Sequence, residues 1–333
     1  VKPVALVTGE VSPYRREPFR MLAEAEGVEV IAFEEVGERR AVQLVGSGRY
    51  RAVIAGLGGR IALPGSYVAA RRARIPFVLW ASLWAHPRTP FHALSWLPMR
   101  ALYRRSDAVV TYGRHVSAYV ERHRGRRGNV FEAPQAVSAE EFGARVTPER
   151  PADGFVLLFA GRLEREKGVE VLLEAWRLAE LPDDATLAFA GTGAIRPEGR
   201  GVRALGPVPR ERLPALYAGA DALVVPSIRT ATFLEPWGLV VNEAMHQGTP
   251  VIASDAVGAA AGGLVRDGRN GLVVPAGDAR ALATRVEALA ADAALRERLG
   301  AAAREDVREF SESAWVEGMQ KALHAVGAGR EAR

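Results

Sequence analysis

The chain has no cysteine, which excludes disulfides, a thiol nucleophile and a Cys-ligated metal. Lysine is nearly absent as well: Lys2, Lys167 and Lys321 stand alone, and all other members of the 44 basic residues are arginine. No apolar run approaches the about 18 residues a membrane-spanning helix needs. The first residues enter an apolar strand, Pro3–Val7, without a signal-peptide layout, so the expected location is the cytoplasm. What is present is ordinary globular material. A length of 333 residues exceeds one usual core and suits two domains of about 150 residues each.

The net charge of +5 hides an asymmetry. Residues 1–150 hold 23 basic and 14 acidic residues, a net +9, and the remainder is net −4. A basic first half suits an acidic or phosphorylated acceptor, an anionic membrane surface, or simply an Arg-rich solvated face. No nucleic-acid partner is expected. The segment Phe91–Arg105, with Leu94, Trp96, Leu97 and Arg100, Arg104, Arg105, reads either as an interfacial helix or as a core-packed helix with a basic rim. Pro98 should interrupt it in both cases.

Short apolar runs ending in Gly, Ser or Pro alternate with helical stretches along the whole chain, the pattern of repeated βα units around parallel sheets. Six strands are expected in the first half, from Val4–Thr8 to Val130–Ala133, and five in the second, from Phe155–Ala160 to Leu272–Val274. Ser138–Gly154, with Pro148, Pro151 and Gly154, reads as a linker. Leu282–Leu299 reads as one helix, and Phe310-Ser311-Glu312 as a break before a last helix, Ala314–Val326. The expected fold class is α/β: two Rossmann-like, doubly wound domains with a cleft between them. The divisions are 1–145 for a first domain, 146–312 for a second, and 313–333 for a C-terminal helix packing back on the first.

Two motifs carry chemistry. Phe159-Ala160-Gly161-Arg162 through Lys167-Gly168 follows a strand and precedes a helix. Gly161 lets the chain turn sharply, and Arg162 and Lys167 can converge on one anion. Solvated cations on an ordinary loop would give the same local pattern. The second motif, Glu235-Pro236-Trp237-Gly238-Leu239-Val240 through Glu243, runs from loop into helix after a buried strand ending Pro226-Ser227. With a helix starting near Gly238, the N–H groups of Gly238, Leu239 and Val240 face an anion. Glu243 then lies about 7.5 Å along the axis and leans back toward a ribose beside that anion. Glu235 reaches the side where a sugar would sit.

These residues resemble the family 4 glycosyltransferases, which have the GT-B fold and retain anomeric configuration. The likeness covers most of residues 155–275. Ala160-Gly161-Arg162-Leu163 with Lys167-Gly168, the turn Gly191-Thr192-Gly193, and Glu235 with Glu243 eight positions on are similar to the family's pattern. Leu205-Gly206-Pro207-Val208-Pro209 resembles the segment that lines the base pocket, so Val208 is a donor contact by resemblance. Trp237 stands where Phe is commoner. In the first half, Asp107-Ala108-Val109-Val110 and Ala133-Pro134 are similar, with Gln135 in place of Asn. Ser12-Pro13-Tyr14-Arg15 replaces the family's double-glycine loop after strand one, where Gly9 is the candidate donor contact. His86 lines up with a histidine that faces the donor sugar in relatives.

The resemblance implies a hexosyltransferase that moves sugar from a nucleotide-diphosphate sugar to an acceptor, with no metal and no cofactor beyond that donor substrate. Arg162, Lys167, Glu235 and His86 are the expected catalytic residues. Gly9, Gly161, Val208, Trp237, Gly238, Leu239, Val240 and Glu243 are the expected donor contacts. The acceptor is a glycan, a lipid-linked or a small polar molecule, and a peripheral position at the inner membrane face is the alternative to a free cytoplasmic one. A sugar-nucleotide epimerase of related fold and a non-catalytic sugar-nucleotide-binding protein are the competing readings. A phosphorylase would need a longer chain and a pyridoxal-binding lysine. A dinucleotide oxidoreductase is disfavoured because strand one ends Thr8-Gly9-Glu10-Val11, without G-x-G-x-x-G.

Overall fold

The computed structural model describes residues 1–125 and 128–330, with Phe91 described in its backbone only. Residues 331–333 of the expected C-terminal segment lie outside the described residues. The chain divides into two compact units, Val1–Ala136 with the segment from Glu312 onward, and Val137–Ser311.

Unit 1 begins with β1 (Val4–Thr8), α1 (Pro13–Glu26), β2 (Val28–Ala32), α2 (Phe33–Val36), α3 (Glu38–Val45) and β3 (Ala52–Gly56). It continues through α4 (Ala62–Ala73), β4 (Phe77–Ala81), α5 (Pro90–Arg105), β5 (Ala108–Thr111), α6 (Arg114–Arg124) and β6 (Val130–Glu132). Helical crossovers make every strand pair parallel, in the order β2-β1-β3-β4-β5-β6. Side chains alternate between two cores: Val4 and Leu6 pack with Phe19 and Leu22 of α1, while Ala5 and Val7 face Ala41, Ala70, Tyr103 and Val120. Both faces are covered, which is why these strands read as unbroken apolar runs.

Unit 2 opens with α7 (Ala139–Phe142), β7 (Val156–Ala160), α8 (Val169–Leu178), β8 (Thr186–Ala190), β9 (Val202–Gly206) and α9 (Leu213–Gly219). Then come β10 (Ala222–Val225), α10 (Val240–His246), β11 (Val251–Ser254), α11 (Gly258–Ala261), β12 (Gly271–Val274), α12 (Ala279–Ala291) and α13 (Ala293–Asp306). The parallel sheet runs β12-β11-β10-β7-β8-β9. The chain therefore starts in the middle, winds one way through β8 and β9, and returns to wind the other way from β10. That leaves a topological switch point between β7 and β10, the place where open α/β sheets bind ligands.

Four sequence expectations change. β9 is an additional strand; it is an edge strand with Arg203 and Ala204 exposed, so it lacks the apolar run of a buried one. The single helix expected over Leu282–Leu299 is two, because Asp292 ends α12 and its side chain accepts the Leu295 N–H at 2.9 Å to start α13. Ser138–Gly154, read as a linker, is fastened to unit 2: Glu149 N–H donates to Ala215 O at 2.8 Å, and Arg150 pairs with Asp221 at 2.7 Å. Pro98 also leaves α5 continuous. Leu94, whose carbonyl loses its partner there, is 79% exposed, so water can replace the lost bond.

The last helix, α14 (Glu312–Ala325), belongs to unit 1 and packs on α1, β5 and β6. Trp315 is fully buried, with ring centroids 5.7 Å from Phe19 and 5.6 Å from Trp80. Gly318 brings the helix so close to β6 that a Cβ would lie 2.1 Å from Glu132 O. Trp315→Ala should therefore cost about 3–5 kcal/mol of unit 1 stability in chemical denaturation. A loss below about 1 kcal/mol would mean that α14 is not part of that core.

Candidate active site

The loops at the switch point are set by glycines. The chain leaves β7 through Gly161 at φ +148°, and its N–H donates to Ala190 O at 2.9 Å. Leu163 N–H donates to Thr192 O at 2.9 Å, so the loops after β7 and β8 run side by side. A Cβ on Gly191 would lie 1.9 Å from Gly161 O, which is why the Gly191-Thr192-Gly193 turn needs glycine there. After the short 3-10 turn Arg165–Lys167, Gly168 takes φ +76°. A Cβ at Gly168 would stand 2.0 Å from Pro226 O. The β7 loop thus rests directly on the end of β10.

That contact delivers Lys167 to Glu235. The ammonium pairs with Oε2 of Glu235, and Ser227 Oγ donates to the same oxygen at 3.2 Å. The Lys167 ammonium also lies 5.1 Å from the Phe233 ring centroid. The two side chains are 20% and 9% exposed, so the pair is reachable yet largely out of water. Glu235 is held by its backbone too: it bridges Val257, and the Gly258 N–H donates to its carbonyl at 3.1 Å. A Cβ on Gly258 would meet Pro236 O at 2.0 Å, so the loop after β11 clamps the Glu235-Pro236-Trp237 segment.

The helix expected near Gly238 begins at Val240. Gly238 takes φ +91°, and its carbonyl accepts the Val241 N–H at 3.0 Å. Among the described residues, the N–H groups of Gly238, Leu239 and Val240 have no acceptor. Trp237 turns its ring inward, 5.7 Å from Phe310, and donates Nε1–H to Asn242 Oδ1 at 2.7 Å. Its main chain is held as well, the carbonyl accepting the Ala259 N–H at 2.8 Å.

Glu243 is 6% exposed, and Tyr217 donates its hydroxyl to Oε2 at 2.7 Å. Burial raises the carboxyl above the usual carboxylate range, offset in part by the Tyr217 hydrogen bond and the nearby Arg210 charge. Arg210 itself grips Glu141 in two bonds of 2.7 and 2.8 Å. Neither Arg210, Glu141 nor the Tyr217–Glu243 bond was legible from spacing, since the partners are 69 and 26 residues apart.

The other expected residues are held within their own units. Arg162 pairs with Glu166 at 3.1 Å and is 63% exposed, without contact to Lys167 among the described residues. Val208 sits half-buried between β9 and α9. In unit 1, His86 Nε2 hydrogen-bonds His92 O at 2.7 Å, with its ring 5.1 Å from Trp96. Gly9 lies at the end of β1 and its carbonyl accepts the Glu34 N–H at 3.1 Å. Among the described residues no group of three His, Asp or Glu side chains is placed to hold a metal ion. No helix there is long and apolar enough to cross a membrane.

With this geometry in hand, comparison with known proteins is specific. Residues 144–306 match the family described as glycosyl transferases group 1. This segment of the chain belongs to that family. The match spans the whole Lys167–Glu235–Glu243 constellation. Among curated proteins, the chain resembles the D-inositol 3-phosphate glycosyltransferase of Xylanimonas cellulosilytica, 39% identical over 177 residues, 48% of this chain and 40% of that protein. It also resembles the phosphatidyl-myo-inositol mannosyltransferase of Mycobacterium leprae, 37% identical over 192 residues, 55% of this chain and 50% of that protein. The matches thus span half or less of these relatives' own lengths. Across both units the fold is that of GT-B enzymes. Anabaena HepE, solved with UDP-glucose, gives a TM-score of 0.73 at 19% identity over 98% of this chain and 100% of its own. Sucrose-phosphate synthase of Thermosynechococcus elongatus gives 0.74 at 22% identity, with the same coverage.

The end of α10 holds a buried histidine. His246 is 9% exposed, its Nε2 lacks a partner among the described residues, and burial with the Arg308 charge lowers its pKa from 6.5 to about 4. The unfolded chain takes up this proton near pH 6.5, whereas the folded chain holds out to about 4. Stability from this group is thus full above pH 6.5 and falls as pH drops through that window. His246→Gln should flatten the fall in melting temperature between these limits; an unchanged slope would show that His246 does not titrate this way.

Proposed function

We propose that the chain is a retaining, metal-independent glycosyltransferase that moves a hexose from a nucleotide-diphosphate sugar to an acceptor. The observation that carries this reading is the largely buried Lys167–Glu235 pair at the switch point of a group 1 glycosyl transferase fold. When the sugar–phosphate bond breaks, the leaving phosphate keeps the bonding electrons and gains negative charge. The Lys167 ammonium, the N–H groups of Gly238, Leu239 and Val240, and Arg162 beside Gly161 are assigned to that charge. Glu235 orients the sugar hydroxyls. Glu243, steadied by Tyr217, takes the ribose through its second oxygen, next to a base lying along Val208 and the Trp237 main chain.

The acceptor hydroxyl attacks on the face from which the leaving group departs, and its proton passes to the donor phosphate. We assign the acceptor to unit 1, and to Gly9 and His86 the donor contacts that the family resemblance implies. The reaction is placed in the cytoplasm. HepE was solved with UDP-glucose, which makes uridine diphosphate sugars the first donors to try.

Lys167→Ala and Glu235→Ala should each lower transfer by about 10²–10³-fold in an assay with nucleotide-sugar donors. A chelator should leave the wild-type rate unchanged, and the product should keep the donor's anomeric configuration by NMR. Wild-type rates in either variant, or an inverted product, would overturn this reading.

A further inference from the structure

Residues 39–106 contain twelve arginines and no aspartate or glutamate. Arg49, Arg51 and Arg71 find carboxylates outside that stretch, at Glu29, Glu26 and Asp107. Among the described residues, Arg72, Arg74, Arg88, Arg100, Arg104 and Arg105 have no ion pair, and all six are exposed. Helices α4 and α5 cover the same face of the sheet, since Leu63 and Ala70 of one and Leu102 and Tyr103 of the other enter one core. Both run between parallel strands, so their C-terminal arginines gather along one edge of that face.

On this background α5 carries an apolar feature that its own unit does not bury. Leu94 is 79% and Leu97 69% exposed; every other exposed large apolar residue except Val1 is at 44%. Helical spacing puts Ala93, Leu94, Leu97, Arg100, Arg104 and Arg105 on one outer face, opposite the buried Leu102 and Tyr103. The face is apolar toward the start of the helix and cationic toward its end, without one acidic side chain. A protein partner would need a matching apolar patch beside an acidic one. An anionic bilayer offers both, apolar depth and a continuous layer of phosphates, at any lateral position.

We propose that the outer face of α5 docks on an anionic lipid bilayer. Leu94 and Leu97 enter the boundary between headgroups and chains, and Arg100, Arg104 and Arg105 lie against lipid phosphates. Arg72 and Arg74 at the end of α4 extend the cationic edge. The inference stands apart from the sugar-transfer reading: it rests on exposure and charge in unit 1 and survives if the Lys167–Glu235 site proves to do something else.

Because the chain has no cysteine, Leu94→Cys gives a single site for an environment-sensitive fluorophore on the full chain. Labelled protein should shift to the blue and co-sediment with phosphatidylcholine vesicles in which about a third of the lipid is phosphatidylglycerol. It should do neither with phosphatidylcholine alone, and about 0.5 M salt should release it. Leu94→Ser with Leu97→Ser, and separately Arg100→Gln with Arg104→Gln, should weaken binding by about tenfold or more at an unchanged melting temperature. The proposal is overturned by absent binding to the anionic vesicles or by full binding of the Leu94/Leu97 variant. Concentration-dependent dimers that this variant abolishes would overturn it too, assigning the face to a second copy of the chain.

Discussion

The ion pair between Lys167 and Glu235 is the point on which the loops of unit 2 converge. Its lysine comes from the turn after β7, its glutamate from the segment after β10, and Ser227 at the end of β10 completes the contact. The two strands are neighbours from which the chain winds in opposite directions, the arrangement at which open α/β sheets bind ligands. A pair this far out of water is costly to break from one side, because the partner is left as an uncompensated charge; such losses run to about 3–5 kcal/mol. A ligand phosphate that approaches Lys167 can share the cation without abandoning the glutamate, since an ammonium has three donors.

Backbone packing makes that placement possible. Gly168 against Pro226, Gly191 against Gly161 and Gly258 against Pro236 are approaches that a single methyl group would forbid. Together they bring the main chain of four loops close enough for Lys167 and Glu235 to meet. The two carboxylates of the motif then fall in different surroundings. Glu235 faces a cation at the rim, whereas Glu243 faces a phenol in the interior and has its carboxyl raised by burial. Two glutamates eight residues apart thereby stand in opposite electrostatic settings.

Much of this was legible in the sequence, for physical reasons that also mark where legibility ends. Buried parallel strands need unbroken apolar runs, so strands such as Val4–Thr8 and Thr186–Ala190 announce themselves, while the half-exposed edge strand Val202–Gly206 does not. Glycines with forced geometry and a lone lysine between them point to the β7 loop because the constraint is local. The Arg210–Glu141 and Tyr217–Glu243 bonds join residues whose proximity is created only by the fold. The burial of Trp237 was hidden as well, since its partner Phe310 is 73 positions away. Composition misled at Ser138–Gly154: prolines and polar residues suggested a linker, but arginine and backbone hydrogen bonds fasten it to unit 2.

In the proposed reaction Lys167, held by Glu235, receives the phosphates of a nucleotide donor. Titration calorimetry with a nucleoside diphosphate and with the matching nucleoside tests it most directly, on wild type and Lys167→Met. Loss of a charge-assisted contact should weaken the diphosphate by about ten- to a hundredfold and leave the nucleoside unchanged. Equal diphosphate affinity in the two proteins would contradict the account.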